Sequence, residues 1–298
     1  MTTSAIDFER LEPRQLYSVA APAVLPPAFP GIVLARRVFY NNSHFDLNSP
    51  EPSLLDPQAV APDKQPLLPG QTATFANYTG YSLGINGIEL DVAGLPPAGA
   101  ISAADFTFRA GRDGDPASWA AVPDPGVFVR RGAGGSAGNG SIPSDLIHFI
   151  WPDNQIQDTW LQVTVLANAD TNLVSPDVFY FGNAVGETGN RAGDTRVTSG
   201  DVRLTRKNRT RPGQAGPDIT SPFDIDRSGV IDVADRKLVA GHKTTRRTAL
   251  PLLAAPAIGS ASLARSDAGA AGTFRPTPAR KLAPARPDDS ATALVRAS

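Results

Sequence analysis

The chain has 298 residues, with 28 Pro and 27 Gly but no Cys, one Met and 7% aromatic residues. At roughly 150 residues per domain this length suits about two domains, and the 41% apolar content can fill a core while the Pro and Gly demand many turns. The lack of Cys excludes a disulfide scaffold, thiol catalysis, thiolate zinc and iron–sulfur sites, and 28 basic against 29 acidic residues exclude a global pull toward nucleic acid or anionic membrane.

No apolar run approaches the ~18 residues of a membrane helix, so no transmembrane segment is expected. Residues 1–30 read as a leader: the apolar stretch Val19–Leu25 is broken by Pro22 and runs into Pro26 and Pro27, a poor match to the apolar core of a signal peptide. The string Phe8-Glu9-Arg10-Leu11-Glu12-Pro13-Arg14-Gln15-Leu16-Tyr17-Ser18 resembles the N-terminal sorting motif of large extracellular planctomycete proteins. That resemblance implies an extracellular or cell-surface location.

Residues 31–184 are predicted to form an antiparallel β-sandwich or jelly roll. Short β-branched and aromatic runs at 32–40, 72–78, 87–92, 105–109, 127–131, 146–151, 161–167 and 178–181 are separated by Gly, Pro, Asn and Asp. Several alternate, as in Phe106-Thr107-Phe108 and Leu161-Gln162-Val163-Thr164-Val165, which suits strands with one buried and one wet face. No stretch of helical periodicity interrupts them, which favours sheet on sheet. The Gly132–Gly140 stretch reads as a long loop.

No catalytic residue stands out here. Glu51 and Glu89 are not evidently paired with a second acid, as glycoside hydrolysis requires, and His148 reads as a strand residue. Trp151 and Trp160 are expected in the core. Trp119, in the loop Pro116-Ala117-Ser118-Trp119, is the surface candidate for stacking on a sugar, since a flat aromatic face can do either job.

The sharpest signal is the acidic stretch Asp224-Ile225-Asp226-Arg227-Ser228-Gly229-Val230-Ile231-Asp232-Val233-Ala234-Asp235. Side-chain oxygens from Asp224, Asp226, Ser228, Asp232 and Asp235, with the Val230 carbonyl and a turn at Gly229, occupy the positions from which a calcium loop wraps a hard cation. Carboxylates this close repel one another until a dication intervenes. Ile231 is the expected apolar plug between paired loops, and the chain after Asp235 is predicted to continue as a helix burying Leu238 and Val239. The blander reading is an acidic turn ahead of a helix.

The pattern recurs 34 residues earlier, worn: Val197, Thr198, Asp201 and Leu204 align with Ile231, Asp232, Asp235 and Leu238. A first calcium site would draw on Asn190, Asp194, the Arg196 carbonyl, Thr198 and Asp201, with Glu187 or Asn183 as further candidates. Ala192 and Thr195 stand where the second copy has Asp226 and Gly229, so weaker binding is expected.

These paired loop-and-helix units over residues 185–247, with Asp at the twelfth loop position, resemble type I dockerin domains, small calcium-folded modules with paired EF-hand-like loops that bind cohesin domains. The resemblance implies Ca2+ as cofactor and a cohesin-like protein or cell-surface scaffold as partner. It places partner contacts at Ser199 and Gly200 of the first loop and Val233 and Ala234 of the second. Metal binding that doubles as folding energy would hold so small a unit together without disulfides.

Residues 248–298, rich in Ala and Pro, are expected to be a disordered tail, with Leu250-Pro251-Leu252-Leu253 too short to hold to anything. The combined expectation is an extracellular, calcium-binding, dockerin-like protein without catalytic activity of its own, serving surface attachment or protein assembly linked to polysaccharide degradation. The alternative is a glycan-binding or glycoside-hydrolysing domain.

Overall fold

The computed structural model describes residues 29–97, 99–135 and 142–257. Nine strands form in chain order: β1 (Ile32–Val38), β2 (Tyr78–Thr79), β3 (Gly87–Ala93), β4 (Phe106–Gly111), β5 (Ala120–Ala121), β6 (Gly126–Arg130), β7 (Ser144–Ile150), β8 (Trp160–Val165) and β9 (Asp177–Asn183). One sheet has the order β1-β3-β7-β6 and the other β2-β9-β8-β4-β5. All pairings are antiparallel except that of β2 with β9. The protein is mainly β, as expected.

Alternation decides which way each strand faces. In β3, Ile88, Leu90 and Val92 enter a core shared by both sheets, while Glu89 and Asp91 turn to the opposite face. Phe149 of β7 meets Phe106 and Phe108 of β4 across that core, with ring centroids 4.6 and 5.2 Å apart. Trp151 is buried in the same cluster. Each large aromatic so buried contributes about 1.5–3 kcal/mol.

Three expectations need correction. The run 72–78 is not a strand: the Thr74 amide donates to Asn77 Oδ1 at 2.8 Å, closing a 3-10 turn over Phe75–Asn77, and only Tyr78 joins β2. Trp119 is buried, not exposed. Its ring lies edge-on to Tyr180, its Nε1–H reaches Asp113 Oδ1 at 2.8 Å, and its face covers Gly111, where a Cβ would come within 2.1 Å of the indole.

The third concerns the tail. Residues 248–257 are packed against the outside of the second sheet, with Leu250, Leu253 and Ala255 buried beside Trp160, Leu67 and Tyr78. The Trp160 indole donates to the Pro251 carbonyl at 2.7 Å, and the Ala73 amide to the Leu253 carbonyl at 2.8 Å. Residues 258–298, like residues 1–28, 98 and 136–141, lie outside the described residues, and with them nearly all of the expected leader, most of the expected tail and the second half of the Gly132–Gly140 loop.

Two α-helices follow the sheets, α1 (Ser199–Lys207) and α2 (Val233–Gly241). Their starts and their ends are each 34 residues apart (233 − 199 and 241 − 207). Thr198 with Asp201 and Asp232 with Asp235 form the same reciprocal cap at equivalent places. The repeat seen in the sequence is therefore a repeat of structure.

Residues 185–247 are not set apart from the sheets. Val185, Val197, Ile225 and Val239 form a small apolar core of their own. The Ser82 amide nonetheless donates to the Ile225 carbonyl at 2.8 Å, and the Gly186 amide to the Gly80 carbonyl at 3.1 Å. All described residues fall in one compact unit.

Candidate metal centre

Asp224 and Asp226 come from the loop that enters the second repeat, and Asp235 from the first turn of α2. Among the described residues these three bring carboxylate oxygens within 4.8 Å of one another. Asp224 and Asp235 are buried and Asp226 is half-buried, so the site is closed on one side and reachable on the other.

The local backbone shapes the site. Asp224 accepts hydrogen bonds from the Ser228 and Gly229 amides at 3.1 and 3.0 Å, which bends the loop around its own first residue. Gly229 supplies a left-handed φ of 80° at the turn. Asp235 accepts from the Ile225 amide at 2.6 Å and the Asp232 amide at 2.8 Å, so α2 cannot shift without carrying the loop.

Burial, and the neighbouring Asp235, push the Asp224 carboxyl up to about 7. Burial, with Asp226 nearby, pushes Asp235 up to about 6. Both amide sets favour ionisation and are outweighed. An all-oxygen donor set of three close carboxylates, only partly offset by the charge of Arg227, fits a hard divalent cation, which would supply further positive charge.

No family model, curated protein or solved structure matches the chain.

The remaining expected ligands divide. Ser228 Oγ donates to the Val230 carbonyl at 3.2 Å on the exposed rim of the loop. Asp232 is exposed and caps α2, accepting from the Ala234 amide at 2.6 Å, and it does not join the three-carboxylate group. Ser199, Val233 and Ala234 are exposed and Gly200 half-buried in the first turns of the helices.

The first repeat shares the helix and its cap but has different chemistry. Asp201 is fully buried. It accepts from Thr188 Oγ1 at 2.7 Å, Asn190 Nδ2 at 2.5 Å, and the Thr198 amide and hydroxyl at 2.8 Å each. Asp194 is turned toward Arg196, which grips it through Nε and Nη2 at 2.8 and 2.7 Å and holds its carboxyl down to about 2. Ala192 brings no oxygen, and Asn183 donates to the Thr79 and Tyr81 carbonyls instead. Protein donors thus occupy the acceptors that a cation would need.

Glu187, the other candidate ligand there, is buried. It accepts from Tyr78 Oη at 3.0 Å and the Gly189 amide at 2.9 Å, and burial pushes its carboxyl up to about 7.

Sequence reasoning missed two features of the site region. Val197 and Ile231 do not pair with each other as loop plugs. The Val197 amide donates to Thr244 Oγ1 and the Ile231 amide to Thr210 Oγ1, at 2.9 and 3.0 Å. The Thr210 and Thr244 amides return bonds to the Ile231 and Val197 carbonyls, both at 2.9 Å. The signal was present, since Thr210 and Thr244 are themselves 34 residues apart.

The second feature lies on the outer face of the first sheet. His148 of β7 stands between Glu89 Oε2, 3.0 Å from Nε2, and Asp56 Oδ2, 3.3 Å from Nδ1, and Arg37 Nη1 reaches Glu89 at 2.7 Å. His148, Glu89 and Asp56 are all buried. Burial opposes every charge, yet the two carboxylates hold the imidazole above its ordinary value and it holds both of them below theirs.

Proposed function

We propose that this protein binds one calcium ion at Asp224, Asp226 and Asp235 and serves as a non-catalytic attachment or assembly unit. The observation that carries the reading is the meeting of three carboxylates in a half-closed loop, two of them buried. Ser228 and the Val230 carbonyl are the rim oxygens nearest in sequence to complete the shell.

The paired capped helices support kinship in design with dockerin-like modules, with Ser199, Gly200, Val233 and Ala234 as the surface offered to a cohesin-like protein or other scaffold. Two sheets sharing one apolar core are read as a β-sandwich carrying that surface. An extracellular setting rests on the Leu11-Glu12-Pro13-Arg14 string, and calcium at extracellular concentration would keep even a weak site filled. No helix of the described residues is long and apolar enough to cross a membrane. The glycan-binding alternative loses its aromatic platform with Trp119 buried.

Calorimetric titration of the full chain with calcium tests this. A single site with a dissociation constant between about 10⁻⁵ and 10⁻³ M is expected, abolished in Asp224→Asn and in Asp235→Asn. The reading is overturned if wild type takes up no calcium or if both variants bind as it does.

A further inference from the structure

Arg227 sits inside the acidic loop, between Asp226 and Ser228, yet it is buried in the opposite direction with only 3% exposure. Its guanidinium lies over the Tyr40 ring at 4.1 Å and donates to Tyr40 Oη at 2.9 Å, to the Ile219 carbonyl at 3.2 Å and to the Ser221 carbonyl. Tyr40 lies two residues beyond β1 and belongs to the core between the sheets. The Arg227 carbonyl accepts the His44 amide at 2.9 Å. Two residues on, Gly229 lies so close to the His44 ring that a Cβ would stand 2.6 Å from it.

The turn that receives these contacts has bonds of its own, the Asn42 and Ser43 amides donating to Asp46 at 2.8 Å each and the Asn48 amide to the Ser43 carbonyl at 2.6 Å, and it still carries backbone strain. Asn42, Leu47 and Asn48 all have left-handed backbones, with φ of 58°, 61° and 55°. Such residues cost on the order of 1 kcal/mol or more each and persist only where surroundings impose them. Arg227 is left-handed too, at φ 53°, where its counterpart in the first repeat is Gly193 at φ 73°. A conformation that glycine adopts freely is therefore imposed on an arginine by its bonds on the sheet side.

We propose that the cation loop is coupled to the two-sheet domain through Arg227, so that filling the acidic site fixes the Ser43–Asn48 turn as well as the loop. The proposal rests on the cation binding proposed above. A cation held by Asp224 and Asp226 before Arg227 and by Asp235 after it fixes the backbone on both sides of Arg227. That backbone carries the acceptor for His44, and its side chain is keyed into Tyr40. Occupancy and turn order then favour each other reciprocally, as linkage requires.

Hydrogen exchange of the full chain, with calcium and with chelator, tests the coupling beside calorimetry on the same samples. Calcium is expected to slow exchange at His44 and its neighbours by about tenfold or more, within the usual range of coupling. In Arg227→Ala calcium still binds and protects 224–235, while the gain at 43–48 falls away. Tyr40→Phe, which keeps the ring and loses only the hydroxyl, reduces the gain and serves if Arg227→Ala does not fold. Measurable binding with unchanged exchange at 43–48, or a gain undiminished in these variants, overturns the coupling alone. Absence of binding heat and of any calcium effect overturns the calcium reading and the coupling with it.

Discussion

Thr244 and Val197 bond each other twice: the Val197 amide donates to Thr244 Oγ1 at 2.9 Å and the Thr244 amide to the Val197 carbonyl at 2.9 Å. Thr210 and Ile231 repeat this with the halves exchanged, so each loop is tied to the end of the other repeat's helix. The two ties are equivalent in geometry, but only Ile231 lies in the loop whose three carboxylates meet. Thr210→Val and Thr244→Val should each cost about 1 kcal/mol by stranding an amide, seen as similar drops in melting temperature with chelator present. Only Thr210→Val should also weaken calcium binding by titration. Equal loss of affinity in both variants would refute the division.

Asp232 stands at a loop position suited to calcium but caps α2. Asp232→Ala should therefore lower stability by about 1 kcal/mol and leave the stoichiometry at one ion per chain. In the first repeat, Asp201→Asn should destabilise the protein without changing calcium affinity, since Thr188, Asn190 and Thr198 already occupy its oxygens. Two ions per chain in wild type, with one lost in Asp201→Asn, would show that the first loop opens to accept metal.

The His148 network predicts a pH window. His148 is held above its ordinary value, so its contribution is complete below about pH 6.5 and is lost as pH rises through the raised value. Asp56 and Glu89 are held below theirs, so their contribution is present above about pH 4.5 and is lost as pH falls through the lowered values. The difference in urea midpoint between wild type and His148→Gln should be largest between these limits and shrink on either side, which separates the network from the raised carboxyls of Asp224, Asp235 and Glu187. His148→Gln, leaving two buried carboxylates less compensated, should cost about 3 kcal/mol at pH 5.5. A midpoint for this variant equal to that of wild type would remove the network from the account.

The segment at 248–257 carries weight in the fold. Leu250→Ala and Leu253→Ala, both at buried positions beside Trp160, should each cost about 2–4 kcal/mol in denaturant unfolding. The exposed Leu54, at 79%, is the control: Leu54→Ala should stay within about 0.5 kcal/mol of wild type.

The parts of the fold legible in the sequence are those written in short-range periods. Ile88, Leu90 and Val92 alternate with Glu89 and Asp91, and β3 follows directly. The 34-residue recurrence locates both helices and both caps. What could not be read depends on partners far along the chain. Thr72 meets Ala254 in an isolated bridge, so a run that looks like a strand gives its first residue to the C-terminal segment. Trp119 is buried because Gly111 leaves room for its ring and Tyr180 closes over its edge. Of the acidic loop, the three carboxylates were legible by spacing, whereas the inward course of Arg227 was not, because Tyr40 is 187 residues away. The first loop misled for a chemical reason: Asn190, Thr198 and Asp201 are oxygen-bearing residues that serve one another.

Because Thr244 is what secures Val197, the earlier loop must wait for the later one during synthesis. A nascent chain that has emerged only as far as α1 leaves the Val197 amide and carbonyl facing water, and Trp160 uncovered until Pro251 arrives. Ribosome-bound chains stalled before residue 244 should therefore display an unfinished outer surface, which closes only once Thr244 and Pro251 have both emerged.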